Sequence, residues 1–233
     1  MGIEVAPAKD GTVSLITMDD GKANAFTKEN IATLIEALDQ AAADPAVSAV
    51  VIAGRENRFS GGFDLNVMHG GDFATIVDLV ADGGELVRHA FTCDIPVVAA
   101  CTGHAIAAGA LLLLGCDVRV GAAGDYKIGV NEVAIGMVLP DWAMTICRER
   151  ISKRHLQRCV ANAQISNPNQ AVDVGFLDEV VPAAQVIDRA VEVASELSAL
   201  DPSAYAGTMK AFRSDVGGLM AEQIAADRAS ARS

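Results

Sequence analysis

The segment Ile95 to Leu114, IPVVAACTGHAIAAGALLLL, holds no Asp, Glu, Lys or Arg and is about as long as a membrane-crossing helix. Its interior argues against that reading. Pro96, the Thr102-Gly103-His104 turn and Gly109 interrupt it, and its β-branched residues cluster in the first third. A strand from Ile95 to Cys101, a glycine turn and a buried helix from about Ala108 to Leu114 explain the same residues better.

The flanking sequence repeats that alternation. Thr12 to Met18 alternates like a strand and closes on the turn Asp19-Asp20-Gly21. Ile31, Leu34, Ile35 and Leu38 then recur at helical spacing behind Thr27, a natural N-cap, which predicts a helix over 27–43 ended by Asp44-Pro45. A strand follows over Ser48 to Ala53, and a helix over Phe73 to Phe91 whose middle is weakened by Gly83-Gly84. Asp117 to Val130 reads as a strand or strand pair, and Glu179 to Val181 as a last strand. Strands alternating with helices indicate an α/β protein with largely buried parallel strands. After Pro182 the pattern changes: Val186 to Leu200, Pro202 to Phe212 and Gly217 to Ala231 are all helical in character. The expected organisation is an α/β core over 1–182 and a helical region over 183–233, packed on that core or on a neighbouring subunit.

Composition narrows the function classes. A chain of 233 residues, 51% apolar, fits one globular domain or one with a small appendage. A net charge of -12 with no basic run argues against nucleic acid and anionic membranes as partners. Five cysteines, an odd number with no CxxC spacing, read as free thiols in a reducing, cytoplasmic setting, and the first residues lack the pattern of a secretory signal. His69, His89 and His155 have no metal-ligand spacing, so no metal is expected. GxGxxG, P-loop and GxSxG patterns are absent, which argues against nucleotide cofactors and a Ser-His-Asp hydrolase.

Two glycine-bearing strand exits stand out: Phe59-Ser60-Gly61-Gly62-Phe63-Asp64-Leu65, and Thr102 to Gly109 opening onto a helix. Paired glycines let a ligand approach main-chain amides, and a helix start leaves amides unpaired. Two such amides converging on one oxygen make an oxyanion hole, suited to a thioester carbonyl that gains charge as an enolate or tetrahedral adduct. A base is also needed. Glu132, a lone acid in VNEVAIGMVLP, would have its pKa raised by burial into a range useful for proton transfer. Asp141, just beyond Pro140, reads first as a cap of the next helix. His104 reads as a packed residue, although it neighbours the second exit.

FSGGFDL, DIPVVAACTGHAIAAGALLLLGCDVRV and NEVAIGMVLP, in this order and spacing, resemble the crotonase superfamily of enoyl-CoA hydratases and isomerases. The resemblance runs from Thr12 to about Val181. It implies a spiral of stacked ββα units followed by a helical C-terminal region that builds homotrimers, often paired into hexamers. It also implies an acyl-CoA substrate, no cofactor beyond the coenzyme A that the substrate carries, and oxyanion amides at Phe63 and Ala108. Asp64 would support the loop, and DGKANAF, with Lys22, Ala23 and Ala25, would lie near the coenzyme A end. Gly61, Gly62, Leu65, Gly109 and Leu111 would complete the substrate site. Some dehalogenases of the superfamily place a nucleophilic aspartate near Asp141, which makes it a secondary candidate.

One departure matters. Hydratases of this family use two glutamates to hold and activate water; Glu132 matches one, but the other falls at Leu111, which cannot orient water. One base and an oxyanion hole still suffice for a Δ3,Δ2-enoyl-CoA isomerase, so isomerisation is expected to exceed hydration. The competing readings are a non-catalytic acyl-CoA-binding protein and another thioester reaction, such as hydrolysis or decarboxylation.

Overall fold

The computed structural model describes residues 2–231. In chain order its elements are β1 (Gly2–Ala8), β2 (Val13–Asp19), β3 (Ala25–Phe26), α1 (Lys28–Ala43), β4 (Ala49–Ala53), β5 (Asn57–Ser60), β6 (Gly62–Phe63), α2 (Leu65–Gly70) and α3 (Phe73–Phe91). There follow β7 (Val97–Cys101), β8 (Gly103–Ile106), α4 (Ala108–Gly115), β9 (Val118–Ala123), β10 (Ile128–Gly129), α5 (Asp141–Arg150), α6 (Leu156–Val160) and α7 (Pro168–Val174). The chain closes with β11 (Glu179–Pro182), α8 (Val186–Leu197) and α9 (Pro202–Ser230). Most of this follows the periodicity of the sequence. At the start of α1, Thr27 Oγ1 accepts the Asn30 amide and Asn30 Oδ1 accepts the Thr27 amide, a reciprocal cap that fixes where the helix begins.

The main sheet has six strands in the order β1-β2-β4-β7-β9-β11, parallel except for the β1–β2 pair. Period-two alternation gives it two apolar faces. Val50 and Ile52 of β4 and Val97 and Ala99 of β7 face the side of α1, α3 and α4, whereas Val51, Ala53, Val98 and Ala100 face α8 through Val186, Ala190 and Ala194. A smaller parallel sheet, β10-β8-β5, and the pair β3-β6 stand beside it. Among the described residues no helix is long and apolar enough to cross a membrane; Ile95 to Leu114 is divided between β7, β8 and α4.

Two expectations need correcting. β1 was not anticipated: it is an edge strand with one half-exposed face and Pro7 near its end, so its alternation is weak. The C-terminal helices expected over 202–212 and 217–231 are one helix, α9, despite Gly217-Gly218. Its buried residues Arg213, Gly217, Met220 and Ile224 recur at helical spacing, and packing against α3 and α5 outweighs the glycine penalty.

Arg213 anchors α9 to the core. Its guanidinium lies 2.7 Å from Asp117 Oδ1, donates from Nη1 to the Phe91 carbonyl at 2.8 Å and stacks 4.6 Å from the Phe91 ring centroid. Contact with Asp117 is close but off the line of a hydrogen bond at Oδ1. Arg213→Ala would leave Asp117 buried without its counter-charge. The expected cost in urea unfolding is about 3–5 kcal/mol, the usual consequence of breaking a buried pair from one side.

Candidate active site

The site is assembled at one edge of the small sheet. β5, β8 and β10 are parallel, with Ser60 opposite Ala105 and Gly129 opposite Ile106, so their C-terminal ends emerge side by side. β5 continues into Gly61-Gly62-Phe63, β8 into Ala107-Ala108, and β10 into Val130, Asn131 and Glu132. The Ala107 amide donates to the Gly129 carbonyl at 3.0 Å, which ties the second exit to the third. Parallel pairing thus brings together segments that the sequence separates by dozens of residues.

Gly62 packs closely against the second exit. It has φ 90°, and a Cβ there would lie 3.0 Å from both the Ile106 carbonyl and Ala107 Cβ, and 3.4 Å from the Ala108 nitrogen. A side chain there is therefore strained by the backbone and crowded by its contacts. Across from it, Ala107 holds φ 53° and ψ -124° as the N-cap of α4, a conformation rare for a residue with a side chain. Ala108 is the first residue of α4, so its amide has no partner within the helix. The Asp64 amide donates to the Phe26 carbonyl at 3.0 Å. Amides alternate in direction along a strand, so that of Phe63 turns away from the β3 edge that the Asp64 amide meets. Amides of two loops, where they face one space, hold a carbonyl oxygen and stabilise charge that develops on it.

The Phe63 ring rests on α3. A Cβ at Gly83 would lie 2.5 Å from Cε1 and Cζ of that ring, which explains the glycine inside an otherwise regular helix. Gly83 therefore seats the ring of Phe63.

Glu132 begins a 3-10 helix over Glu132–Ile135 that ends on left-handed Gly136. Only 7% of the residue is exposed, and Oε2 is buried without a hydrogen-bond partner. Burial pushes its carboxyl pKa above the usual carboxylate value, against the weaker opposing effect of backbone hydrogen bonds. The thiol of Cys147 on α5 is pushed up by burial and, secondarily, by the Glu132 charge. A buried carboxylate with one oxygen unpartnered is costly to the fold and chemically suited to taking up a proton.

A groove of about 410 Å³ is lined by Lys22, Ala23, Ala25, Gly61, Phe63, Asp64 and Leu65 among others, so the residues expected near the coenzyme A end do meet. Asp64 caps α2, its Oδ1 accepting the Asn66 amide at 2.8 Å. Gly109 and Leu111 are buried within α4 and are not part of the groove's lining; a Cβ at Gly109 would lie 2.5 Å from the Ser60 carbonyl, so this glycine serves packing. Ala108 and Glu132 also lie off that lining, at the neighbouring sheet edge. Asp141 is the exposed first residue of α5, inside the helix, with Pro140 in the cap position, so it is not the cap that the sequence suggested; its charge helps to raise the pKa of Asp227 on α9, after burial. His104 is a packed residue: its ring meets Tyr126 edge-on at 5.3 Å and Nδ1 accepts the Lys127 amide at 2.9 Å. Among the described residues no cluster of three or more His, Cys, Asp or Glu side chains is placed to hold a metal.

Sequence reasoning missed Asn24, Ser60 and the role of Gly83. Asn24 and Ser60 are fully buried polar residues, and their partners become apparent only once the strands are paired.

Comparison with known proteins extends these findings. A family model described as enoyl-CoA hydratase/isomerase matches residues 8–232. The chain is 28% identical over 217 residues to mitochondrial enoyl-CoA delta isomerase 1 of Mus musculus, covering 92% of this chain and 75% of the mouse protein. It is 26% identical over 211 residues to 2,3-dehydroadipyl-CoA hydratase of Escherichia coli, covering 90% of this chain and 82% of that one. It superposes with TM-score 0.91 on the crystal structure of an enoyl-CoA hydratase/isomerase family protein from Pseudomonas syringae, at 36% identity and 96% coverage of both chains.

Proposed function

The chain belongs to the enoyl-CoA hydratase/isomerase family, and from that premise we propose that it moves the double bond of a 3-enoyl-CoA thioester into conjugation with its carbonyl. In this reading the Phe63 and Ala108 amides hold the thioester oxygen. Glu132 removes a proton from C2, the two amides stabilise the dienolate, and the resulting carboxylic acid returns the proton at C4. The observation that carries the proposal is the pairing of a buried, unpartnered Glu132 Oε2 with Leu111, 1% exposed, at the family position where hydratases have a second glutamate. An isomerase and a hydratase are both among the relatives at similar identity, so the preference rests on the site itself.

Such a reaction needs neither a metal nor a redox cofactor, coenzyme A arriving as part of the substrate. Lys22, Ala23, Ala25, Gly61, Asp64 and Leu65 form the groove proposed to receive that part. A homotrimer or a hexamer, and a cytoplasmic setting in keeping with the free cysteines, belong to the same proposal. Asp141, exposed on α5, has no step in it.

The test is an absorbance assay for the conjugated 2-enoyl thioester formed from a 3-enoyl-CoA at several chain lengths. Conversion above the uncatalysed rate supports the reading; affinity for acyl-CoA with no conversion would make the chain a binding protein. The pH profile adds a check. Glu132 acts as its carboxylate, and burial raises its pKa above the ordinary glutamate value of 4.5. Accordingly kcat/KM should fall with acid through a midpoint above 4.5, and Glu132→Gln should abolish that limb.

A further inference from the structure

The amides around the first strand exit are nearly all committed. Gly61 donates to the Ala23 carbonyl at 2.8 Å, Gly62 to Ser60 Oγ at 3.1 Å, and Asp64 to the Phe26 carbonyl at 3.0 Å. The Phe63 amide is left for a ligand, and its direction depends on what fixes Gly62. With φ 90° and no Cβ, Gly62 has no side-chain barrier of its own to hold that conformation. Ser60 supplies the missing restraint. While accepting the Gly62 amide, its hydroxyl donates to the Asn24 carbonyl at 2.7 Å.

Asn24 is in turn held from several directions. It adopts φ 52°, and its Nδ2 donates to the carbonyls of Met18 at 2.8 Å, Phe59 at 3.2 Å and Arg58 at 3.3 Å. Its Oδ1 accepts the Asp20 amide at 2.9 Å. Both Asn24 and Ser60 are 0% exposed, so water does not compete for these bonds. A buried, satisfied network of this kind is rigid and specifies one geometry.

We propose that Ser60, anchored by Asn24, is a positioning residue that aims the Phe63 amide at the thioester oxygen. The proposal rests on the reading of Phe63 as an oxyanion donor. Ser60 touches no substrate atom in it; the residue acts through the Gly62 amide and the backbone that follows. An amide turned off line by a fraction of an ångström still admits substrate but stabilises the developing charge less.

The experiment compares wild type, Ser60→Ala and Ser60→Cys. Alanine removes only the hydroxyl, and cysteine keeps a weak donor and acceptor. Expected results are a fall in kcat of about 10- to 100-fold for alanine, a smaller fall for cysteine, and KM within about threefold of wild type for both. A second readout needs no turnover: infrared difference spectra of a bound saturated acyl-CoA labelled with ¹³C at the thioester carbonyl. Wild type should shift the carbonyl stretch below its solution frequency, and Ser60→Ala should return it toward that frequency. A purely structural role predicts a lower melting temperature with an unchanged carbonyl frequency and kcat per folded molecule, and that result would overturn the proposal. If Ser60→Ala does not fold, the same two readouts on Ser60→Cys decide. Should wild type bind acyl-CoA without turnover, the isomerase reading fails, while the carbonyl frequencies still decide the role of Ser60.

Discussion

Glu132→Gln should lower turnover of a 3-enoyl-CoA by about 10²- to 10⁴-fold, the range associated with losing a positioned acid-base group. Affinity for a saturated acyl-CoA, measured by calorimetry, should stay within a few-fold. The amide has the shape of the carboxylate but cannot accept a proton at C2, so chemistry and binding separate. Stability supplies an independent sign. Burial raises the folded-state pKa of Glu132 above 4.5, so the ionised form is disfavoured in the folded protein. That penalty is absent at low pH, where the group is protonated in both states, and grows as pH rises from the unfolded pKa through the folded one. Hence at neutral pH Glu132→Gln should unfold at a denaturant concentration equal to or above that of wild type. A variant that is inactive but less stable would point to a structural acid.

The second large effect is expected at Gly62. A Cβ at φ 90° is strained, and it would press to 3.0 Å on the Ile106 carbonyl and Ala107 Cβ, forcing apart the two loops whose amides are proposed to converge. Gly62→Ala should reduce kcat by about 10²- to 10³-fold, comparable to deleting one oxyanion donor. Its stability cost should be only about 1–3 kcal/mol, the usual penalty for a residue held in a sparsely populated backbone region. KM should change less than kcat, because the groove that contains Lys22, Ala25 and Asp64 is not lined by Gly62 itself. Steady-state kinetics with a urea titration of the same preparation separate the two effects. A kcat near wild type would mean that the Phe63 and Ala108 amides do not act together.

How much of this could be read in advance depended on length and on locality. The helix over Phe73–Phe91 was legible from end to end, because nineteen residues carry a strong periodic signal and Asp72 caps it locally. Thr27 and Asn30 announce α1 for the same reason. The strands β5 and β8 have four residues each and were hidden inside turns, since so short a segment cannot display a period. At the site, the glycine pair and the isolated acid were legible as types, but the network behind them was not. Asn24 reaches partners 34 and 35 positions away, and Ser60 bonds back over 36. Gly83 looked like a weakness in a helix until the Phe63 ring was found against it. α9 was read as two helices because its glycines were judged without the neighbours of that helix: Gly217 is buried against Thr92 at the end of α3, and α3 and α5 pack along α9.

The decisive measurement is a side-by-side determination of initial rates on a 3-enoyl-CoA and on the 2-enoyl-CoA of equal chain length, with one preparation at one pH. A site with Glu132 as its single proton carrier and Leu111 where water would need a second carboxylate should isomerise the first faster than it hydrates the second. Hydration as fast as isomerisation, or faster, would contradict the one-carboxylate account.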